Sequence, residues 1–115
     1  MFFKAKSVDT EHLESELDRL KAKVRAFSLF DEDDYLDANP DVRKAVQDGA
    51  YKDGLTHFRN VGLKEGRFPG YGSFNWELYL SSHDDLAHFK KESDPEAIAR
   101  RHFREAGYRE GRTFS

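Results

Sequence analysis

One stretch of this chain occurs twice and restricts the possible folds more than any other feature. Residues 57–67 read HFRNVGLKEGR, and residues 102–112 read HFREAGYREGR. Seven of these positions are identical, an eighth is a Lys/Arg exchange, and the two copies are 45 residues apart. Because chance is a poor explanation for such agreement, the sequence predicts two copies of one structural unit.

The residues around this stretch predict short helices. Pro40 disfavours a helical conformation at Asn39 and suits the first position of the next helix. Gly49 is placed to end that helix, and Asp94-Pro95 is a typical helix start in the second copy. We therefore expect an all-α fold, with an N-terminal helix followed by two tandem three-helix repeats packed as one domain. The expected boundaries are 1–27 for the N-terminal segment, 28–70 for the first repeat and 71–115 for the second.

The N-terminal segment carries the pattern of an amphipathic helix over residues 8–27, with Asp9 or Thr10 as its N-cap. Acidic residues dominate its first half and basic residues its second half, which complements the helix dipole. Its apolar residues are spaced alternately four and three apart, as in a coiled-coil seam. This seam, our candidate for oligomerisation or partner binding, consists of Leu13, Leu17, Leu20, Val24 and Phe27.

The charges beside the seam bear on the orientation of a partner helix. An antiparallel copy would pair Glu14 with Lys21, and Glu16 with Lys23. A parallel copy would pair Glu16 with Lys21 but would oppose Asp9 to Glu14, so the charges favour the antiparallel arrangement.

The seam is too short to hold a coiled coil on its own. Two interpretations stay open, namely packing of the helix on its own domain and association with a second polypeptide. Phe2 and Phe3 precede the seam, and we expect them to be exposed.

The repeated stretch itself is interpreted as a structural clasp that closes each unit. We expect the first glycine of each copy to follow a helix with positive φ and the second to do so inside a turn. The Glu and Arg that flank the second glycine should hold the turn, with Asp41 and Asp85 as further partners of the arginines. Each histidine should bond a backbone carbonyl or the hydroxyl of Tyr35 or Tyr79. The clasp residues are His57, Phe58, Gly62, Glu65, Gly66, His102, Phe103, Gly107, Glu110 and Gly111.

Three residues are candidates for a ligand or partner surface. Trp76 stands where the first copy has Glu32, and an exposed Trp there would suit sugar stacking or a protein contact, whereas a buried one would join the core. Arg67 and Arg112 are suited to binding an anion or a sugar acid, although a role in holding the turn is the stronger expectation.

No catalytic motif is evident, and we expect neither an enzyme nor a cofactor or metal. The acidic run of residues 31–34 is interpreted as a helix start, because adjacent carboxylates on a helix diverge and the spacing of a calcium loop is absent. A net charge of −3 does not predict a nucleic-acid partner or an anionic membrane. The absence of Cys and of a long apolar stretch favours a soluble cytoplasmic protein without membrane insertion, and export without an N-terminal signal is also compatible.

The two copies resemble a bacterial repeat of the form F-D-x-x-x-Y-L-x-x-N-P-D-V…H-[FY]-x-x-x-G-x-x-E-G-R. The first copy carries it as Phe30-Asp31, Tyr35-Leu36, Asn39-Pro40-Asp41-Val42, His57-Phe58, Gly62 and Glu65-Gly66-Arg67. The resemblance covers about 85 of the 115 residues, and the second copy departs from it at His83 and Asp84. Such repeats are appended to glycosyltransferases, sugar-pathway methyltransferases and hemolysin-type surface proteins. The resemblance implies a non-catalytic accessory module in a glycan or secretion setting, and it transfers no functional residue.

Two functions are therefore expected. The first is a protein-interaction or scaffold module that self-associates, or docks on another protein, through its N-terminal helix. The alternative is a glycan-binding accessory module linked to cell-surface polysaccharide or glycosylation.

Overall fold

The computed structural model describes the backbone of residues 2–115 and the side chains of residues 10–115. Every regular element in this described part of the chain is helical, which confirms the all-α class. The elements are α1 (Phe2–Leu29), α2 (Glu32–Ala38), α3 (Pro40–Gln47), α4 (Gly54–His57) with a π-helical turn (Phe58–Gly62), α5 (Trp76–Ser81), a 3₁₀ helix (Ala87–Lys91), and α6 (Pro95–His102) with a second π-helical turn (Phe103–Gly107).

The N-terminal helix α1 is longer than its sequence pattern predicts. It already includes Asp9 and Thr10, so the expectation that one of them caps the helix is wrong. The helix ends at Leu29, whose carbonyl accepts a hydrogen bond from the backbone N–H of Gly72 at 2.8 Å. The sequence analysis expected Phe2 and Phe3 to be exposed and used the charge of Asp9 to compare helix orientations. The side chains of these three residues lie outside the part of the chain whose side chains are described.

Each repeat contributes three helical segments, and aspartate or asparagine side chains begin most of them. The carboxylate of Asp31 accepts from the Asp34 N–H at 3.0 Å, and Asp53 caps α4 in the same way. Asn75 and Asp94 do so in the second repeat. These residue types favour the N-cap because their short side chains reach the unpaired N–H groups of the first turn.

The second segment differs between the repeats. In the first, Pro40 restarts the chain as a regular α-helix directly after Asn39. In the second, no proline stands at the corresponding Asp84, and a turn precedes a short 3₁₀ helix that begins only at Ala87. Loss of the helix-initiating proline accounts for this difference.

The core is aromatic and forms two clusters that share the end of α1. Ala26 packs into the cluster of the first repeat, and Leu29 packs into that of the second. Phe68, at the end of the first repeat, lies 5.9 Å from the ring of Phe103 and connects the two units. The largest side chains with almost no exposure are Tyr35, Tyr79, Phe58, Phe103, Leu29 and Leu80.

No helix within residues 2–115 is both long enough and apolar enough to cross a membrane.

Candidate functional site

The main exposed apolar feature is a stripe along α1. Four residues of the predicted seam form it, and we call these four the exposed stripe. Their exposed fractions are 64% for Leu13, 49% for Leu17, 54% for Leu20 and 68% for Val24. With about 3.6 residues per turn, positions spaced four and three apart lie on one side of a helix. Nothing in the described part of the chain covers this side.

The last turn of α1 holds the helix on the body of the protein, through residues on the side opposite the stripe. Ala26 and Leu29 are buried, and the Arg25 guanidinium donates hydrogen bonds to the carbonyl oxygens of Tyr108 at 3.1 Å and Arg112 at 3.0 Å. The same guanidinium lies 5.0 Å from the centre of the Tyr108 ring. Burial lowers the pKa of Arg25, which nevertheless stays cationic because its usual value is so high. The helix is thus attached through one side, and the exposed stripe points away from that attachment.

Phe27 occupies an intermediate position. It is the fifth seam residue, with 38% of its surface exposed, and its ring makes an edge contact with Phe58 at 5.3 Å. The predicted packing of α1 on its own domain therefore applies to the last turns of the helix, whereas the seam from Leu13 to Val24 is open.

Charged residues line both edges of the exposed stripe. Glu16 pairs with Arg19 one turn along the same helix at 2.8 Å. Glu14, Lys21 and Lys23 make no ion pair with any residue that the structure describes. These unpaired charges beside the exposed stripe are available to a partner helix.

The predicted clasp contacts are present in both repeats. The Arg67 guanidinium forms a two-point ion pair with Asp41, both contacts being 2.8 Å, and donates from Nε to Glu65 at 2.9 Å. Arg112 repeats this arrangement with Asp85 and Glu110. The side-chain hydrogen bonds from the arginines lower the pKa of both aspartates, and bonding to the aspartates raises the pKa of both arginines.

These contacts leave the two arginines poorly placed to bind an external anion. Each guanidinium already satisfies two carboxylates of its own repeat, and Arg67 also donates to the side-chain oxygen of Asn39 at 3.1 Å. An incoming anion would have to displace them. Arg67 and Arg112 therefore serve the turn geometry in this structure, as the structural interpretation of the clasp predicts.

The clasp histidines bond tyrosines, as the sequence analysis expected. The Tyr35 hydroxyl lies 2.8 Å from Nδ1 of His57, and the Tyr79 hydroxyl lies 2.7 Å from Nδ1 of His102. Burial raises the pKa of Tyr35 and of Tyr79 to about 12. Burial, together with the nearby Arg67, lowers the pKa of His57. Neutral tyrosines and a neutral His57 fit a structural hydrogen bond better than proton transfer.

The clasp glycines divide into two kinds. Gly66 and Gly111 have φ values of 70° and 73°, as predicted. The same prediction is wrong for Gly62 and Gly107, because the chain continues through them as a π-helical turn. Glycine is required there for a different reason. A β-carbon on Gly62 would overlap the Tyr35 hydroxyl, and one on Gly107 would overlap that of Tyr79.

The acidic run of α2 is used for capping, and its carboxylates diverge. Asp31 caps its own helix, Glu32 accepts hydrogen bonds from the N–H groups of Gly54 and Leu55, and Asp34 accepts from that of Tyr71. Within the described residues, no group of His, Asp or Glu side chains converges on a point that could hold a metal ion.

Trp76 is half-buried and packs against the aromatic cluster of the second repeat. Of the two alternatives considered for it, the structure places it in contact with the core. Arg67 and Arg112 are each paired with an aspartate of their own repeat, Asp41 and Asp85.

A cleft that the sequence analysis did not identify lies between α1 and the ends of the two repeats. It encloses about 570 Å³ and is lined by three arginines and two aromatic rings without any carboxylate: Arg25, Arg104, Arg109, Phe68 and Tyr108. The side chains of Arg104 and Arg109 are exposed and form no hydrogen bond or ion pair within the described part of the chain. These two guanidiniums are available to an anion, whereas Arg25 is engaged with backbone carbonyls.

The sequence contained a partial signal for this cleft. Tyr108 stands where the first copy has Leu63, and Arg109 stands where it has Lys64. Arg25 comes from the N-terminal helix, and no spacing rule connects it to residues more than 80 positions away.

Comparisons of the chain with protein-family models, curated protein sequences and solved structures found no match.

Proposed function

We propose that this protein is a non-catalytic interaction module and that the exposed stripe of α1 is its binding surface, for a second copy of the chain or for a helix of another protein. One observation carries the proposal. Four apolar side chains share one side of a helix that is fixed to the body only at its last turn, and each of the four is about half exposed or more. Such a stripe gains stability when a partner removes it from water.

The length of α1 supports the same conclusion. From residue 10 to residue 24 the helix has almost entirely exposed side chains, so the body contributes little to holding it. Isolated helices of this length are only marginally stable in water. An amphipathic helix is stabilised mainly by packing of its apolar side, and a partner would supply that packing.

The test measures whether the stripe is covered, whatever covers it. The chain contains no cysteine, so a single introduced thiol is the only site for a maleimide. Leu17→Cys places the thiol on the stripe. Ser15→Cys places it on the same helix at an exposed position of the opposite side and serves as the matched control.

We expect Cys at position 17 to react more slowly than Cys at position 15, with the difference disappearing in urea. Slow reaction in the purified chain identifies a second copy as the partner. Slow reaction only in an extract of cells that make the protein identifies another protein. Equal rates in both settings would contradict the proposed function.

A second candidate function is supported by the arginine-lined cleft. We propose that this cleft is a binding site for an acidic glycan, because guanidiniums bind carboxylates in a two-point geometry and aromatic faces suit sugar rings. Phe68 and Tyr108 supply the rings, and Arg104 and Arg109 supply the free charge.

Calorimetric titration with a uronic-acid oligosaccharide tests this second function, with a neutral oligosaccharide of equal length for comparison. The variant Arg104→Gln/Arg109→Gln should lose binding. Arg59→Gln is the matched control because it occupies the position of Arg104 in the first repeat and does not line the cleft. Absence of binding, or equal binding by all variants, would reject the glycan site.

A further inference from the structure

We propose that the partner of α1 is a second copy of α1, running antiparallel, in the register that brings residue i of one copy beside residue 37 − i of the other. This inference rests on the proposed function and specifies its partner. In this register Leu13 faces Val24 of the second copy, and Leu17 faces Leu20. By symmetry the four exposed side chains of each copy form four consecutive apolar layers, so no member of the stripe is left uncovered.

The charges beside the stripe select the same register independently. In an antiparallel pair, like-lettered flanking positions of the heptad face each other across the interface. Glu14 then faces Lys21 of the second copy, and Glu16 faces Lys23. The two residue numbers of a pair add to 35 for Glu14 and Lys21, and to 39 for Glu16 and Lys23. The mean of these two values is 37, which is the sum that the apolar layers require. Twofold symmetry doubles them to four complementary pairs.

Three of the four residues in these pairs have no competing ion pair. Glu14, Lys21 and Lys23 are free within the described part of the chain, and Glu16 has only an exposed contact with Arg19. An exposed ion pair of that kind contributes little to stability, so its exchange for a partner's lysine is easily accommodated.

The parallel alternative satisfies fewer charges. In that orientation Glu16 would face Lys21 of the second copy, and by register Asp9 would face Glu14. The two attractive pairs would be offset by two repulsive ones. Antiparallel pairing also sets the two helix dipoles in opposite directions, which is the favourable arrangement.

The position of the body is compatible with this pairing. Each body is attached to the side of α1 opposite the stripe, through Arg25, Ala26 and Leu29. In the antiparallel register those attachment points lie at opposite ends of the two-helix interface.

Disulfide formation between single-cysteine variants of the full chain tests the orientation. Leu13→Cys and Val24→Cys are prepared separately, one of them isotope-labelled, then mixed and oxidised mildly. Mass spectrometry separates the mixed disulfide from the two self-disulfides. In the proposed register, positions 13 and 24 of different copies are adjacent. Two copies of position 13 are about 16 Å apart along the axis, beyond the reach of a disulfide.

We expect the mixed disulfide in roughly tenfold excess over either self-disulfide, because only that pair meets the geometric limit. Ser15→Cys, on the opposite side of the helix, should form no disulfide above the level seen in urea. Dominant self-disulfides would show a parallel pair and overturn this inference while leaving the proposed function intact. Monomeric chains that form no disulfide would also overturn it, and the alkylation rates in cell extract then decide the proposed function separately.

Discussion

Val24 and Ala26 are two residues apart on α1 and lie in opposite environments. Val24 is 68% exposed, whereas Ala26 is 1% exposed and belongs to the core of the first repeat. This contrast shows how the helix is used. One side anchors α1 to the body, and the other presents apolar residues to solvent. The same helix thus combines a structural role with a surface that is suited to association.

The anchor of α1 depends on Arg25. Replacing it by Met keeps the apolar stem but removes the hydrogen bonds to the carbonyls of Tyr108 and Arg112. Because hydrogen bonds from charged donors contribute more than neutral ones, we expect Arg25→Met to lower the free energy of unfolding by about 2 kcal/mol. Urea denaturation measures this. Arg19→Met on the exposed surface is the control, and it should change stability by less than about 0.5 kcal/mol. Equal effects of the two substitutions would show that Arg25 does not anchor the helix.

The close contact between Gly62 and Tyr35 gives a second prediction. Gly62→Ala should lower the free energy of unfolding by about 2 kcal/mol, because the added methyl group overlaps the tyrosine hydroxyl. Tyr35→Phe removes that hydroxyl, so the double variant should be more stable than the sum of the two single effects predicts. A double-mutant cycle by urea denaturation measures the coupling. Strict additivity would mean that the hydroxyl is not the obstacle.

The lowered pKa of His57 predicts a dependence of stability on pH. Burial disfavours the protonated imidazole in the folded state, so the unfolded chain binds a proton more readily. The stability associated with a neutral His57 is complete above the ordinary pKa of 6.5 and is lost as pH falls below it towards the folded value. His57→Gln should therefore reduce the fall in unfolding free energy between about pH 7.5 and pH 5.5. An unchanged slope in this variant would assign the pH dependence to other groups.

Much of the clasp could be predicted from the sequence because two copies of it were available. Arg67 and Arg112 recur with Asp41 and Asp85 at matching positions, and so do the histidines with Tyr35 and Tyr79. A recurring pair of complementary side chains indicates a contact even without a structure.

Other features could not be predicted because their signals are ambiguous or come from distant parts of the chain. A glycine after a helical pattern fits both a left-handed cap and a close packing contact. At Gly62 the structure shows the close packing contact, with the Tyr35 hydroxyl. The anchoring of Arg25 on the second repeat spans 83 residues of sequence. The division of α1 into an attached side and an open side follows from that contact, so the sequence analysis had left both interpretations of the seam open.

The mass of the full chain in solution tests the central claim most directly. Sedimentation equilibrium at about 100 µM should give the mass of two chains for the unmodified protein and for Ser15→Lys, which adds a charge to the side of α1 away from the stripe. Leu17→Lys should give the mass of one chain, because it places a charge in the apolar interface. Its helical circular dichroism should show that the body is still folded. A mass of one chain for all three proteins, or of two chains for all three, would contradict self-association through the exposed stripe.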